Sequence, residues 1–186
     1  DKVCLLWASE RGEEIKTTFK QFKEQTDQTA ANFMSLGITR GDKVMLILKR
    51  HYQWWLSMMA LCKIGAIAIP ATHMLTKNAI VYRNEKASIK AIICVHDSYV
   101  TTQGTESLPE SHTVKVLVAV NSMSESSKPV PENFHDWFKE WDKAPHFRRP
   151  ENVNENEDTM LIYFTSGTSG EPKMVAHHFL YALGPV

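Results

Sequence analysis

Four short apolar runs carry most of the information about the fold of this chain. They span residues 43–48, 66–69, 91–95 and 114–120. Each run is short enough for a strand that is buried on both faces, as strands of parallel sheets are. Helical patterns separate several of the runs, so that strand, helix and strand alternate. The sequence therefore predicts an α/β fold, in which a mostly parallel sheet is layered with helices.

Periodic apolar residues predict the helices around these strands. Apolar and small residues recur at three- and four-residue steps from Phe19 to Leu36, which predicts a long amphipathic helix with an aromatic stripe in the core and Gly37 at its end. A second helix over 51–63 is closed by Gly65, and a third begins at the capping residue Thr76. The second helix has side chains that are too apolar for a solvated surface, namely Trp54, Trp55, Met58, Met59 and Cys62.

The remaining segments are more polar. Residues 3–7 predict a short strand that returns through a turn into residues 15–17. Residues 97–113 are compatible with a loop or with a short helix. The composition of 121–133 and 150–158 is typical of exposed linkers. Between the two linkers, a short helix with an aromatic face is predicted from Phe134, Trp137, Phe138 and Trp141.

Composition excludes several classes of function. The 186 residues contain 21 basic and 21 acidic side chains, so no global charge attracts nucleic acid or an acidic membrane. No apolar run reaches the roughly 20 residues of a membrane-spanning helix, and the first residues lack a signal-peptide pattern, which predicts a cytoplasmic location. The three cysteines are far apart and are expected to be small buried side chains in a reducing compartment, without disulfides or metal.

An unusual polar stretch follows the apolar run 159–164. It comprises Thr165, Ser166, Gly167, Thr168, Ser169, Gly170, Glu171, Pro172 and Lys173. Glycines let backbone N–H groups approach an anion, hydroxyls add donors and lysine adds a positive charge, which together suit a polyphosphate. A polar hairpin loop is the alternative interpretation. A P-loop NTPase is disfavoured, because Glu171 and Pro172 separate the last glycine from the lysine.

The segment from Tyr163 to Lys173 resembles the signature phosphate-binding loop of the adenylate-forming superfamily, which includes acyl-CoA synthetases, luciferases and the adenylation domains of peptide synthetases. His177, four residues after Lys173, is similar to the pattern of acetate and medium-chain acyl-CoA synthetases. Further landmarks that resemble those of acyl-CoA synthetases, in the usual order, are Gly37-Ile38, Gly41-Asp42-Lys43-Val44, Trp54-Trp55-Leu56, Lys63-Ile64-Gly65-Ala66, Pro70, Ile80 and Tyr82-Arg83.

The resemblance implies roles for individual residues. Lys173 is implied as the catalytic cation that screens the leaving pyrophosphate, and His177 as a candidate contact of the nucleotide or the acyl group. Glu171 is expected to point to solvent, and no metal ligand is assigned. The residues implied to hold the β- and γ-phosphates of ATP are Thr165, Ser166, Gly167, Thr168, Ser169 and Gly170.

The resemblance also implies an activity for the full enzyme. A carboxylic acid would attack ATP to give an acyl-adenylate and pyrophosphate, and the acyl group would pass to coenzyme A, as in fatty acid metabolism. ATP, Mg²⁺ and coenzyme A are implied, with the Mg²⁺ ligands outside this chain. Because the family's members are longer, residues 1–186 are expected to be an incomplete N-terminal AMP-binding domain that is inactive alone. The alternatives are an adenylation domain that loads a carrier protein and a non-catalytic nucleotide-binding remnant.

Overall fold

The computed structural model describes residues 2–9, 12–122, 125–151, 153–166 and 170–184. The strands are β1 (Val3–Ala8), β2 (Glu14–Thr18), β3 (Lys43–Ile47), β4 (Ile67–Pro70), β5 (Ala91–Val95), β6 (Val116–Val120), β7 (His135–Asp136), β8 (Thr159–Thr165) and β9 (Lys173–His178). The helices are α1 (Phe19–Ser35), α2 (Gln53–Ile64), α3 (Lys77–Ala87), α4 (Ser98–Ser107) and α5 (Trp137–Lys143), and a 3-10 turn (Phe179–Leu183) follows β9.

Most strands join one large sheet. Within the described residues its seven strands lie in the order β7-β6-β5-β3-β4-β8-β9. Neighbouring strands from β7 to β8 are parallel, and β9 pairs antiparallel with β8 at one edge. β1 and β2 form a separate antiparallel hairpin. The predicted α/β fold with a mostly parallel sheet is therefore confirmed, and so is the N-terminal strand with its return.

The central strands supply two cores, one on each face of the sheet. Leu46 and Ile93 lie in the core that is shared with α1, α2 and α5. Met45 and Ile92 lie in the opposite core, under α3 and α4. Successive residues of a strand point to opposite faces, so a strand that is covered on both sides must be apolar throughout. This requirement explains the uninterrupted apolar sequences of β5 and β6, which are buried along their whole length.

Helix α1 begins with a capping box. The side chain of Thr18 accepts a hydrogen bond from the backbone N–H of Gln21, and the side chain of Gln21 accepts one from Thr18. Phe33 is fully buried, but Phe19 is 62% exposed. The prediction that the whole aromatic stripe packs in the core is therefore wrong for Phe19, because the buried residues of α1 lie farther along the helix, from Thr26 to Phe33.

Helix α2 covers the same face as α1 and starts two residues later than predicted. Leu56, Met58 and Leu61 are buried, whereas Trp55 is 50% and Met59 is 40% exposed. The expected burial of the last two is wrong, because one stripe of the helix faces the sheet and this i,i+4 pair lies elsewhere. As predicted, α2 is closed by Gly65, which adopts a left-handed conformation with φ of 71°.

The segments left open by the sequence take definite forms. Residues 98–107 form α4, whose first turn is capped by the carboxylate of Asp97. The predicted aromatic helix is α5; Trp137 is buried at its start, while Phe134 precedes β7. Within the two predicted linkers, Asn121 is buried and so is Val153. The division of the chain into an AMP-binding domain with linkers stays a prediction.

The cysteine side chains are free thiols in the structure. Cys94 is buried in β5, and burial raises the pKa of its thiol to about 12. Cys62 is partly buried, and burial raises the pKa of its thiol to about 11. Among the described residues, no cluster of three His, Cys, Asp or Glu side chains could hold a metal ion. No helix in the described part of the chain is long and apolar enough to cross a membrane.

Candidate functional site

The loop singled out in the sequence connects the two strands of an edge hairpin. β8 and β9 pair antiparallel, with Thr165 opposite Lys173 at the end nearest the loop. The hydroxyl of Thr165 lies 3.5 Å from the carbonyl oxygen of Lys173 and donates to it. β9 was not predicted, although its short run after a glycine-containing loop is a recognised hairpin signal. Hairpin geometry does not oppose anion binding, because a turn also brings backbone N–H groups together.

The described residues of the loop are open to solvent. Thr165, Ser166, Gly170 and Lys173 are all exposed, as is Glu171, which carries no predicted role. Gly170 has a φ of 92°, and a Cβ atom there would meet nothing within 4 Å. The position thus requires glycine for its backbone conformation and leaves room for a ligand. The predicted contacts Gly167, Thr168 and Ser169 lie outside the described residues.

Lys173 is available to an anion. It is the first residue of β9, and its side chain is exposed at the mouth of the loop. In the described part of the chain, no carboxylate forms an ion pair with its ammonium group. Thr165 and Lys173 are opposite one another in the antiparallel pair, so their side chains lie on the same face of the hairpin. A hydroxyl and a cation therefore lie on one face at the mouth of the loop.

His177 lies farther along β9, in a group of aromatic rings. Its ring is 4.2 Å from that of Tyr181 and 5.7 Å from that of Tyr163. It lies four positions after Lys173, about 13 Å along the strand, and the even spacing places both side chains on one face. The structure therefore pairs Thr165 with Lys173, with Ser166 and Gly170 nearby along the chain, and keeps His177 at the opposite end of β9.

Helix α3 supports the other face of the hairpin. Tyr82 Oη donates a hydrogen bond to the carbonyl oxygen of Pro172 at 2.9 Å. The guanidinium carbon of Arg83 lies 5.1 Å from the ring centroid of Phe164. The sequence offered Tyr82 and Arg83 only as family landmarks. A contact between residues 90 positions apart leaves no local signal, so these supports could not be predicted from spacing.

A separate cavity of about 960 Å³ lies beyond the carboxyl ends of the central strands. It is lined by residues that follow β3, β4 and β5, such as Lys49, Thr72 and His96, and by Trp7 of the N-terminal hairpin. Open parallel sheets commonly bind ligands at the carboxyl ends of their strands. Among the described loop residues, none lines this cavity. The cavity and the loop are therefore separate features, although both lie at the carboxyl ends of parallel strands.

An ion pair lies at this cavity. Lys49, which has a φ of 45°, forms an ion pair with Asp97 at 2.9 Å. The hydrogen bond from Lys49 lowers the pKa of Asp97. Burial lowers the pKa of His51, so its imidazole is neutral at pH 7. Sequence reasoning missed this cavity, because its residues come from five separate segments.

Three comparisons with known proteins agree with one another. A family profile described as "AMP-binding enzyme" matches residues 1–184. The human protein named acyl-coenzyme A synthetase ACSM5, mitochondrial, is 33% identical over 181 residues, covering 96% of this chain and 30% of that protein. The rat (Rattus norvegicus) protein named acyl-coenzyme A synthetase ACSM2, mitochondrial, is 32% identical over 176 residues, covering 94% of this chain and 29% of that protein.

The fold also matches a solved structure. The crystal structure of an acyl-CoA synthetase from Brucella canis superposes with a TM-score of 0.81 at 21% sequence identity. The match covers 98% of this chain and 32% of the other, and at this identity it concerns the fold alone. The chain spans about 30% of the length of the curated relatives described above.

Proposed function

The chain belongs to the AMP-binding enzyme family, and we propose that the full-length protein is an acyl-CoA synthetase. The resemblance to acyl-CoA synthetases that the sequence predicted is confirmed by the similar proteins. The proposed reaction joins a carboxylic acid to ATP, releases pyrophosphate and passes the acyl group to coenzyme A. The observation that supports it most is the loop from Thr165 to Lys173, whose described residues are open and unpaired with carboxylates.

The loop would act on the phosphates of ATP. Both half-reactions move negative charge onto phosphate oxygens, so donors and cations contribute more than proton transfer does. Ser166 would donate a hydroxyl hydrogen bond to the β- and γ-phosphates, and the backbone near Gly170 would donate N–H groups. Thr165 would donate as well, once its hydroxyl leaves the carbonyl oxygen of Lys173. Lys173, on the same face as Thr165, would stabilise the pyrophosphate as it leaves. From their sequence positions, we propose the same phosphate contacts for Gly167, Thr168 and Ser169.

We also propose a role for His177 and a location for the contacts of Mg²⁺ and coenzyme A. The rings of His177 and Tyr181 are adjacent, and His177 lies on the face that carries Lys173. We propose these rings as a contact for the nucleotide or the acyl group. The described residues offer no cluster of metal ligands. The side chains that hold Mg²⁺, which would neutralise phosphate charge, are therefore proposed to lie elsewhere in the full-length protein, as are most contacts of coenzyme A.

An assay of the full-length protein tests the function. ATP and a panel of carboxylic acids of increasing chain length are supplied with and without coenzyme A, and AMP, pyrophosphate and acyl-CoA are measured. Acid-dependent release of pyrophosphate together with acyl-CoA supports the proposal. Adenylate formation without transfer to coenzyme A would instead support a domain that loads a carrier protein. ATP binding without any turnover would support a non-catalytic protein.

The 186-residue chain alone provides a complementary test. We propose that it is inactive by itself, because the loop is one part of a site and the chain spans about 30% of its relatives. The expected result is no acyl-CoA above background with any acid of the panel. Acyl-CoA formation by this chain would contradict the proposal that the rest of the site lies elsewhere.

The cellular location stays a prediction. The sequence favours the cytoplasm, whereas the similar human and rat proteins are named as mitochondrial. Fractionation of cells that express the tagged full-length protein decides between the two compartments. Recovery with the mitochondrial matrix would contradict the cytoplasmic prediction without affecting the proposed chemistry.

A further inference from the structure

Helix α3 contacts both legs of the hairpin at the point where they enter the loop. Tyr82 Oη donates to the carbonyl oxygen of Pro172 at 2.9 Å, on the β9 side. The ring of Tyr82 meets that of Phe164 nearly edge-on, with centroids 6.5 Å apart and an interplanar angle of 69°, on the β8 side. Pro172 immediately precedes Lys173, and Phe164 immediately precedes Thr165. One side chain therefore touches both neighbours of the proposed phosphate contacts.

The sheet supports the hairpin mainly at its other end. β8 is in register with β4 where Leu161 pairs with Ala68, four residues before Thr165. Closer to the loop, Tyr163, Met174 and Val175 are exposed. The loop end of the hairpin thus extends beyond the part that the sheet holds. Near the loop, Tyr82 and Arg83 of α3 contact the hairpin.

Tyr82 is well suited to be a fixed support. Helix α3 is capped by the side chain of Thr76, which accepts from the N–H of Ala79. Ile80 and Val81 are buried and anchor the helix on the sheet. The ammonium group of Lys86 lies 5.7 Å from the ring centroid of Tyr82. The negative potential of the ring face attracts this cation. The phenol therefore extends from a helix that is held by capping and by burial.

The hydrogen bond from Tyr82 to Pro172 also affects the orientation of Lys173, because of the backbone geometry at Pro172. The ring of proline fixes φ of residue 172, which leaves ψ as its one soft backbone dihedral. The peptide unit between Pro172 and Lys173 is planar, so the carbonyl oxygen and the N–H of Lys173 rotate together. A hydrogen bond to that oxygen restrains ψ. It therefore also restrains the direction in which the Lys173 side chain leaves the strand.

We infer that Tyr82 is a positioning residue that acts through Lys173. It holds the peptide between Pro172 and Lys173 so that the ammonium group is directed toward the polyphosphate. Tyr82 itself contacts no phosphate in this arrangement. The inference rests on the proposed function of the loop, and it adds a residue that the loop's sequence does not contain.

Four variants of the full-length protein test this inference: Y82F, K173A, the double variant and Y99F. Y82F removes the hydroxyl and keeps the ring that packs on Phe164, and Y99F removes the hydroxyl of an exposed tyrosine on α4. The measurements are ATP-dependent pyrophosphate exchange, the ATP dissociation constant from calorimetry and the melting temperature. Y82F is expected to slow exchange about three- to tenfold, the usual effect of losing one neutral hydrogen bond. Y99F should match the wild type, and the melting temperatures should agree.

The double variant separates a positioning role from a general structural one. If Tyr82 acts through Lys173, Y82F adds no further loss once K173A has removed the ammonium group. The same loss in both backgrounds would overturn the inference, and so would a loss that follows a lowered melting temperature. Wild-type exchange by Y82F beside an impaired K173A would overturn this inference alone. Unimpaired exchange and ATP binding by K173A would overturn the proposed role of Lys173, and with it the inference.

Discussion

The centre and one edge of the large sheet differ in what surrounds them. Strands β5 and β6 are buried along their whole length, between α1, α2 and α5 on one face and α3 and α4 on the other. At the edge, β9 is exposed along almost its whole length, and Met174 is 46% exposed. The same sheet thus contains a region that packs on both faces and an edge strand whose side chains are largely open to solvent.

We expect the centre of the sheet to provide most of the folding stability and the edge hairpin to provide the proposed phosphate contacts. Buried apolar area dominates the free energy of folding, so the centre is expected to carry most of it. Exposed loops on a stable scaffold are where binding groups are found, and the hairpin holds the proposed phosphate contacts. Substitutions at the centre should therefore change stability, and substitutions at the loop should change catalysis with little effect on stability.

The largest effect on stability is expected from truncation at the centre. Leu46→Ala on β3 removes a fully buried side chain and leaves a cavity, which should lower the free energy of unfolding by about 2–5 kcal/mol. Val175→Ala on exposed β9 is the matched edge variant, and it should cost less than about 0.5 kcal/mol. Urea denaturation measures both. Equal costs for the two variants would contradict the difference between centre and edge.

A smaller effect is expected where the centre meets the segment that leads to β8. A Cβ on Gly65 would lie 2.6 Å from the carbonyl oxygen of Val153, whereas one on Gly12 would meet nothing within 4 Å. Both glycines have positive φ, so both alanine variants bear the left-handed penalty. Gly65→Ala should be less stable than Gly12→Ala by about 1–3 kcal/mol, the usual cost of overpacking. Comparable urea midpoints would show that the backbone at Val153 moves away from the added Cβ at little cost in stability, and would contradict this prediction.

The smallest effect concerns the helix layer over the centre. Lys63 Nζ donates to Asp27 Oδ1 at 2.7 Å and so joins α2 to α1. Burial acts to raise the pKa of Asp27, but hydrogen bonds from Lys23 and Lys63 outweigh it, and the pKa lies below its usual 3.8. Asp27→Asn should cost about 0.2–1 kcal/mol at pH 7, the range for a solvent-accessible ion pair.

The pH dependence of that cost follows from the lowered pKa. A carboxyl whose pKa is lower in the folded state contributes stability above pH 3.8, and the contribution is lost as the pH falls through the folded pKa. The difference between wild type and Asp27→Asn should therefore shrink below about pH 4. Asp142→Asn, at an exposed position of α5, is the control. A difference that persists unchanged at acidic pH would show that the ion pair is not its cause.

The same division explains what the sequence could predict. Strands β3, β5 and β6 have continuous apolar runs because both faces are covered, so composition alone indicates them. Apolar residues do not reveal which stripe of a helix faces the sheet, and for this reason the exposure of Trp55 and Met59 was missed. The loop could be recognised from residue types that suit phosphate. Its support by Tyr82 could not, because that contact is tertiary.

Lys173 is the proposed cation that meets the phosphates of ATP, and the proposed function requires it. Acid-dependent pyrophosphate exchange by the full-length protein should be compared for wild type, Lys173→Ala and Lys20→Ala, which removes an exposed lysine of α1. Lys173→Ala should slow exchange about 100- to 1,000-fold, as loss of a preorganised charge-stabilising group does in other enzymes. Lys20→Ala should behave as the wild type. Exchange by Lys173→Ala at the wild-type rate would contradict the account.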